Sequence, residues 1–287
     1  MQIFDIIKII INNVFYNGIK LRIGEILKKK SFKNLIILAT SFCVLQPFSI
    51  AVEAPKPVLR PELKVPTNNA SVNKPVQSNN KKKKIEIYTD ENGNQISKEQ
   101  KERSEQLKKT YKGVTKDERI MEALELLKGG LGDFSRKAIM GNNLSEKPMV
   151  VQFSNLSTFG QAYANFDALG WKKKNKLYIH INEKHQDAPA PALAAVLAHE
   201  ALHQDDFNSL NEETYAWTLE AAVWTKLSEK DPKYNDSMHP LVVRENTLKK
   251  LFIKGNYTSK FIRKTVYSNP GYSNLPSRSP GFEDDSL

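Results

Sequence analysis

Apolar residues change their spacing from segment to segment along this chain, and each change predicts an element. Lys84 to Tyr88 alternates as KIEIY and is followed by Asn92-Gly93-Asn94 and Gln95-Ile96, which predicts a hairpin. Ser97 to Lys109 is highly charged and predicts a helix. Between Ile120 and Leu127 apolar residues fall at 120, 123, 124 and 127, the stripe of an amphipathic helix, and Gly129-Gly130 ends it. Met149 to Phe153 predicts a short strand, and Lys176 to Ile181 (KLYIHI) an edge-like, half-buried one. Pro191 to Asp206 reads PALAAVLAHEALHQDD: alanine and leucine dominate, and proline stands at the front, where its missing N–H costs nothing. Ser209 to Glu212 fits a capping box that opens a second helix through Trp224, with Ala216 small enough for close packing on the first. Trp217 and Trp224 are expected in the core, and LVVRENTL around Arg244 predicts a further helix. These elements make an α+β domain over residues 117–268, a small sheet followed by two packed helices. Residues 269–287, with three prolines and an acidic end, are expected to form a flexible tail.

The first third of the chain reads differently. Residues 1–33 form an extension whose Ile3–Ile11 stretch, with Asp5 and Lys8, suits an amphipathic helix. Lys28, Lys29, Lys30 and Lys33 then precede NLIILATSFCVLQPFSIA, with small residues at Ser49, Ala51 and Ala54. A cationic end, an apolar centre and a small-residue site make residues 34–54 a signal peptide or membrane anchor, so export is expected. Phe42, directly before Cys43, argues against lipidation of that cysteine. Residues 55–84, rich in Pro, Asn and Lys, bury too little to fold and form a linker. Residues 85–116 hold the hairpin and the charged helix.

Composition narrows the classes. Of 287 residues, 40% are hydrophobic, which excludes wholesale disorder, and no apolar run exceeds about 20, which excludes a polytopic membrane protein. The single cysteine excludes a disulfide framework and a Cys-rich zinc finger. The net charge of +11 is unevenly placed. Residues 1–51 carry seven Lys/Arg against two acids, residues 52–116 fifteen against eight, and residues 117–287 twenty-one against twenty-two. A nucleic-acid-binding domain concentrates positive charge on its folded surface, so no nucleic-acid partner is expected. The basic segments, residues 28–54 and the linker, suit association with a membrane or cell-envelope surface.

The chemistry lies in His199-Glu200-Ala201-Leu202-His203. On a helix, residues four apart share a face, so both imidazoles reach one metal ion while Glu200, about 100° round, meets a metal-bound water. Zinc favours such nitrogen donors and lowers the pKa of its water to roughly 7. A third protein ligand is expected. Glu212 has a capping role, which leaves Glu213 as the preferred ligand and Glu212 as the alternative. Asp205, Asp206 and Glu220 are candidates to orient a ligand imidazole. Tyr178, His180, Tyr215 and His239 are candidates to stabilise an oxyanion. Arg244 suits a substrate carboxylate or, more simply, a surface ion pair.

The run His199-Glu200-Ala201-Leu202-His203, followed by Glu213-Thr214-Tyr215-Ala216, resembles the gluzincin zinc metallopeptidases over about residues 149–228. The resemblance implies a zincin-like fold, Zn2+ held by His199, His203 and Glu213, Glu200 as general base, and a peptide or protein substrate. The turn between the helices is short for that family, which leaves the choice between Glu212 and Glu213 open. The glycine and third histidine of metzincins are absent, and the cysteine ligand of peptide deformylases has no counterpart, since Cys43 lies in the leader. A different class of reading is a non-catalytic exported module that keeps such a fold for binding or tethering at the envelope.

Overall fold

The structure, a computed structural model, describes Tyr88, Thr89 and residues 93–283. The N-terminal extension, the signal-like segment, the linker and the start of the first strand lie outside the described residues. Among the described residues there are seven α-helices and two small sheets, an α+β protein. No helix among them is long and apolar enough to cross a membrane.

The described residues fall into two units divided between Glu102 and Arg103. In the smaller, β1 (Tyr88–Thr89) pairs antiparallel with β2 (Gln95–Ile96), the hairpin that Asn-Gly predicts. Gly93 supplies the left-handed backbone of the turn, with φ of 81°. Helix α1 (Lys98–Thr110) runs through the dividing point.

The larger unit begins before residue 117. Leu107, Tyr111 and Val114, spaced four and three apart, are buried in its main core, and the Val151 N–H donates to the Val114 carbonyl at 2.8 Å. The many charges of α1 hide this stripe in the sequence. Asp117 caps α2 (Glu118–Leu127) by accepting from the N–H groups of Arg119 and Ile120. The apolar face then buries Ile120, Ala123, Leu124 and Leu127 as their spacing predicts. A short helix, α3 (Asp133–Ile139), follows.

The three-stranded sheet contains β3 (Val150–Ser154), β4 (Ala168–Lys173) and β5 (Lys176–Asn182) in the order β3-β5-β4. The KLYIHI strand is therefore central rather than edge-like. It runs parallel to β3 and antiparallel to β4. Strand β4 escapes sequence reading because ALGWKK does not alternate, and a two-residue turn at Lys174 and Asn175, both with positive φ, joins it to β5. Leu177, Ile179 and Ile181 of β5 join the main core. Tyr178 and His180 turn to the other face, beside Phe159.

Helix α4 (Ala190–Glu200) packs against α2 and α5 (Leu210–Lys230). Ala192, Ala194, Ala195 and Ala198 on one side and Ala216 on the other are fully buried, and such small side chains let helix axes approach. Helices α6 (Pro240–Lys254) and α7 (Lys260–Tyr267) complete the unit, with Trp217 and Trp224 in its interior as expected.

Residues 269–283 are not a loose tail. Tyr272 is buried and its hydroxyl accepts from Trp217 Nε1 at 3.2 Å; Phe282 is buried too. The prolines mark turns, such as the 3-10 turn at Pro270–Tyr272, between anchored residues.

Candidate metal centre

Helix α4 stops at Glu200, so the motif straddles its end rather than sitting inside a helix that continues to Asp206. The Leu202 N–H reaches His199 O at 3.0 Å and the His203 N–H reaches Glu200 O at 3.2 Å, i to i−3 bonds that tighten the last turn. Gln204 holds this exit by donating to Ala201 O and accepting from the Leu144 N–H. The two imidazoles still converge, with ring centroids 5.3 Å apart.

Ser209 caps α5 as expected, accepting from the Glu212 N–H at 3.1 Å. The reciprocal half of the capping box is missing, because the Ser209 N–H goes to Asn208 Oδ1. Glu212 instead turns its Oε1 to His203 Nδ1, 3.1 Å away. Glu213 points to the opposite ring nitrogens: its Oε2 lies 3.8 Å from His199 Nε2 and its Oε1 3.7 Å from His203 Nε2. Of the two glutamates, Glu213 is the one that faces both Nε2 atoms. Asn208 steadies that carboxylate by donating to Oε1 at 2.7 Å.

His199, His203 and Glu213 form a cluster that can hold a metal ion, with one donor atom from each within 4.8 Å of the others. Separations of 3.7–3.8 Å are too long for hydrogen bonds. They are close to the roughly 3.4 Å between donors that share a tetrahedral ion at about 2.0–2.1 Å. His203 Nε2 and Glu213 Oε2 are buried without a hydrogen-bond partner. Two buried polar atoms without partners are costly, and a shared cation satisfies both.

The other ring nitrogens are occupied. His199 Nδ1 lies 2.9 Å from Glu220 Oε2, and His203 Nδ1 is held by Glu212. A carboxylate at Nδ1 takes the N–H of a neutral imidazole and leaves the Nε2 lone pair for a cation. Glu220 is therefore the orienting residue for His199. Asp205 accepts from the Phe207 N–H, and Asp206 lies beside Lys172.

Arg244 is neither a surface ion pair nor a free substrate contact. It is buried, bonded to both oxygens of Glu220 and to Glu245, and its Nε lies 3.2 Å from Asp167 Oδ2. Asp167 in turn meets His185 Nε2 at 2.6 Å. Burial alone would raise the Glu220 carboxyl, but Arg244 and His199 hold it far below the usual range. Burial and the Glu220 charge push Glu245 well up. For His203, burial favours the neutral ring, yet the charges of Glu213, Glu212 and Glu200 outweigh it and raise the pKa to about 9. Carboxylates thus flank both imidazoles of the centre.

The oxyanion candidates lie elsewhere. Tyr178 and His180 face the far side of the sheet, where His180 Nδ1 meets Ser154 Oγ at 2.9 Å. Tyr215 packs its ring edge-on against Phe282. His239 caps α6 and bonds Asp187. A cleft of about 520 Å³ runs along β3 beside Gly113–Asp117 and includes none of the cluster residues. Sequence reading missed Asp167, His185, Glu245 and Ser279, which belong to these buried networks. Only His185 carried a signal, the crowding of histidines between 180 and 203.

Comparison with protein-family models, curated proteins and solved structures finds no match for this chain.

Proposed function

We propose that this protein is an exported zinc metallopeptidase in which His199, His203 and Glu213 hold the metal and Glu200 is the general base. The observation that carries this reading is the convergence of three ligand atoms, and not four, among the described residues. Structural zinc sites are closed by four protein ligands, whereas catalytic sites keep a position for water or substrate. The gluzincin resemblance of the motif supports the same assignment, and the composition of residues 34–54 supports export.

A zinc ion at these residues supplies Lewis-acid chemistry, polarising a peptide carbonyl and acidifying a water. The chain supplies the rest. Glu200, buried beside the ligands, accepts the proton of the attacking water. As the water oxygen bonds to the carbonyl carbon and the C–N bond breaks, Glu200 returns that proton to the departing amine. Glu212 and Glu220 keep both Nε2 atoms aimed inward throughout.

Metal analysis of the purified full-length protein tests this directly. The wild type is expected to carry about one zinc per chain and to cleave a mixed peptide library in a chelator-sensitive way. Glu200→Gln is expected to keep the metal and lose at least about 100-fold in cleavage. A wild type without metal sinks the proposal. Retained metal without chelator-sensitive cleavage favours the non-catalytic envelope module.

A further inference from the structure

We propose that the C-terminal segment is a working part of the metal centre, with Ser279 as a positioning residue for His203. The inference deepens the metal reading above and does not depend on hydrolysis.

The hydrogen-bond directions follow from donor counting. Ser209 Oγ accepts from the Glu212 N–H, so its own proton is free to go to Ser279 Oγ, 2.9 Å away. Ser279 then spends its single proton on Glu212 Oε2, at 2.8 Å. The other oxygen of Glu212, Oε1, takes the His203 Nδ1–H. Both carboxylate oxygens of Glu212 are therefore held, one by the ligand ring and one by a hydroxyl from 67 residues downstream. Without Ser279 the carboxylate keeps the ring but loses the anchor that fixes its own rotamer.

Flanking contacts hold the hydroxyl in register. The N–H groups of Leu210 and Asn211, at the start of α5, donate to the carbonyls of Pro276 and Ser277 at 2.9 and 3.1 Å. On the other side of Ser279, Asn211 Nδ2 donates to Phe282 O, and the Phe282 ring packs against Tyr215. The segment thus satisfies early donors of the helix that carries Glu213, where α-helices lack internal partners.

The two ligand histidines are consequently supported by unlike means. His199 depends on Glu220, gripped by the Arg244 guanidinium. His203 depends on Glu212, gripped by one neutral hydroxyl of the C-terminal segment.

Zinc competition against a chromophoric chelator, using the full-length chain, tests the proposal. Ser279→Ala is expected to weaken zinc binding by about 3–10-fold, less than loss of a residue bonded directly to a ligand. Ser279→Thr, which keeps the hydroxyl, is expected to restore affinity to within about twofold. In the Glu212→Gln background, Ser279→Ala is expected to add little, because the two act in series. With cobalt in place of zinc, the visible absorption is expected to shift in Ser279→Ala and stay near wild type in Ser279→Thr. Equal affinity and spectrum in Ser279→Ala and wild type overturn the proposal, as does an equal loss in both Glu212 backgrounds. A wild type that takes up neither metal overturns the metal reading itself, and this inference with it.

Discussion

His203 and His180 are both buried, one in the helix layer and the other on the far face of the sheet, yet their surroundings shift their pKa values in opposite directions. His203 is raised to about 9, because Glu213, Glu212 and Glu200 outweigh its desolvation. His180, beside Phe159, Tyr178 and the Ser154 hydroxyl, is lowered to about 4 by burial alone. Burial by itself favours the neutral ring, and carboxylates packed around an imidazole reverse that preference. On the far face of the sheet, burial favours the neutral ring of His180. The other region sets carboxylates around two imidazoles and one arginine, and three of its side chains can hold a metal ion.

The sharpest way to break the contrast is to remove Glu213. Glu213→Ala leaves two imidazoles without their third donor and is expected to cost more than about 100-fold in zinc affinity, read by chelator competition. His180→Gln, on the sheet's far face, is expected to leave that affinity unchanged. Next in size is Arg244→Met, which strands the Glu220 and Asp167 carboxylates in the interior. Chemical denaturation of the metal-free protein is expected to show a loss of about 3–5 kcal/mol.

Glu220→Gln keeps the shape of the orienting side chain but removes the charge at His199 Nδ1. Zinc affinity is expected to fall by about 10–100-fold with the fold retained by circular dichroism. The smallest effect belongs to the sheet. The folded pKa of His180 lies below its unfolded value, so its contribution is fully present above about pH 6.5 and is lost as pH falls toward about 4. Between pH 7 and pH 5 it accounts for a loss of about 2 kcal/mol, seen as a lower denaturant midpoint. His180→Gln is expected to flatten that part of the pH profile. A profile identical to wild type would place the acid sensitivity elsewhere.

Local pattern carried much of this molecule. The hairpin at Gly93, the stripe of α2, the Ser209 cap and the Ala-rich helix were legible because each depends on residues a few positions apart. The spacing at 199, 200 and 203 was legible for the same reason, whereas the sequence left Glu212 and Glu213 both open. Where reading failed, it read a local signal too simply. Glu212 looked like half of a capping box, but its carboxylate goes to the His203 ring while Asn208 takes the Ser209 N–H. The charges of α1 masked the stripe at 107, 111 and 114, and three prolines made an anchored segment look loose.

The sequence by itself determined which groups were available: two imidazoles one turn apart, a carboxylate between them and a run of glutamates on the next helix. Only the tertiary structure decided their partners. Arg244 reaches Glu220 across 24 positions, Asp167 meets Arg244 from a different layer, and Ser279 reaches Glu212 across 67. Such pairings are fixed by the packing of separate elements into a space without water, where each buried polar atom must find whatever partner the fold brings near, and no periodicity along the chain records that choice.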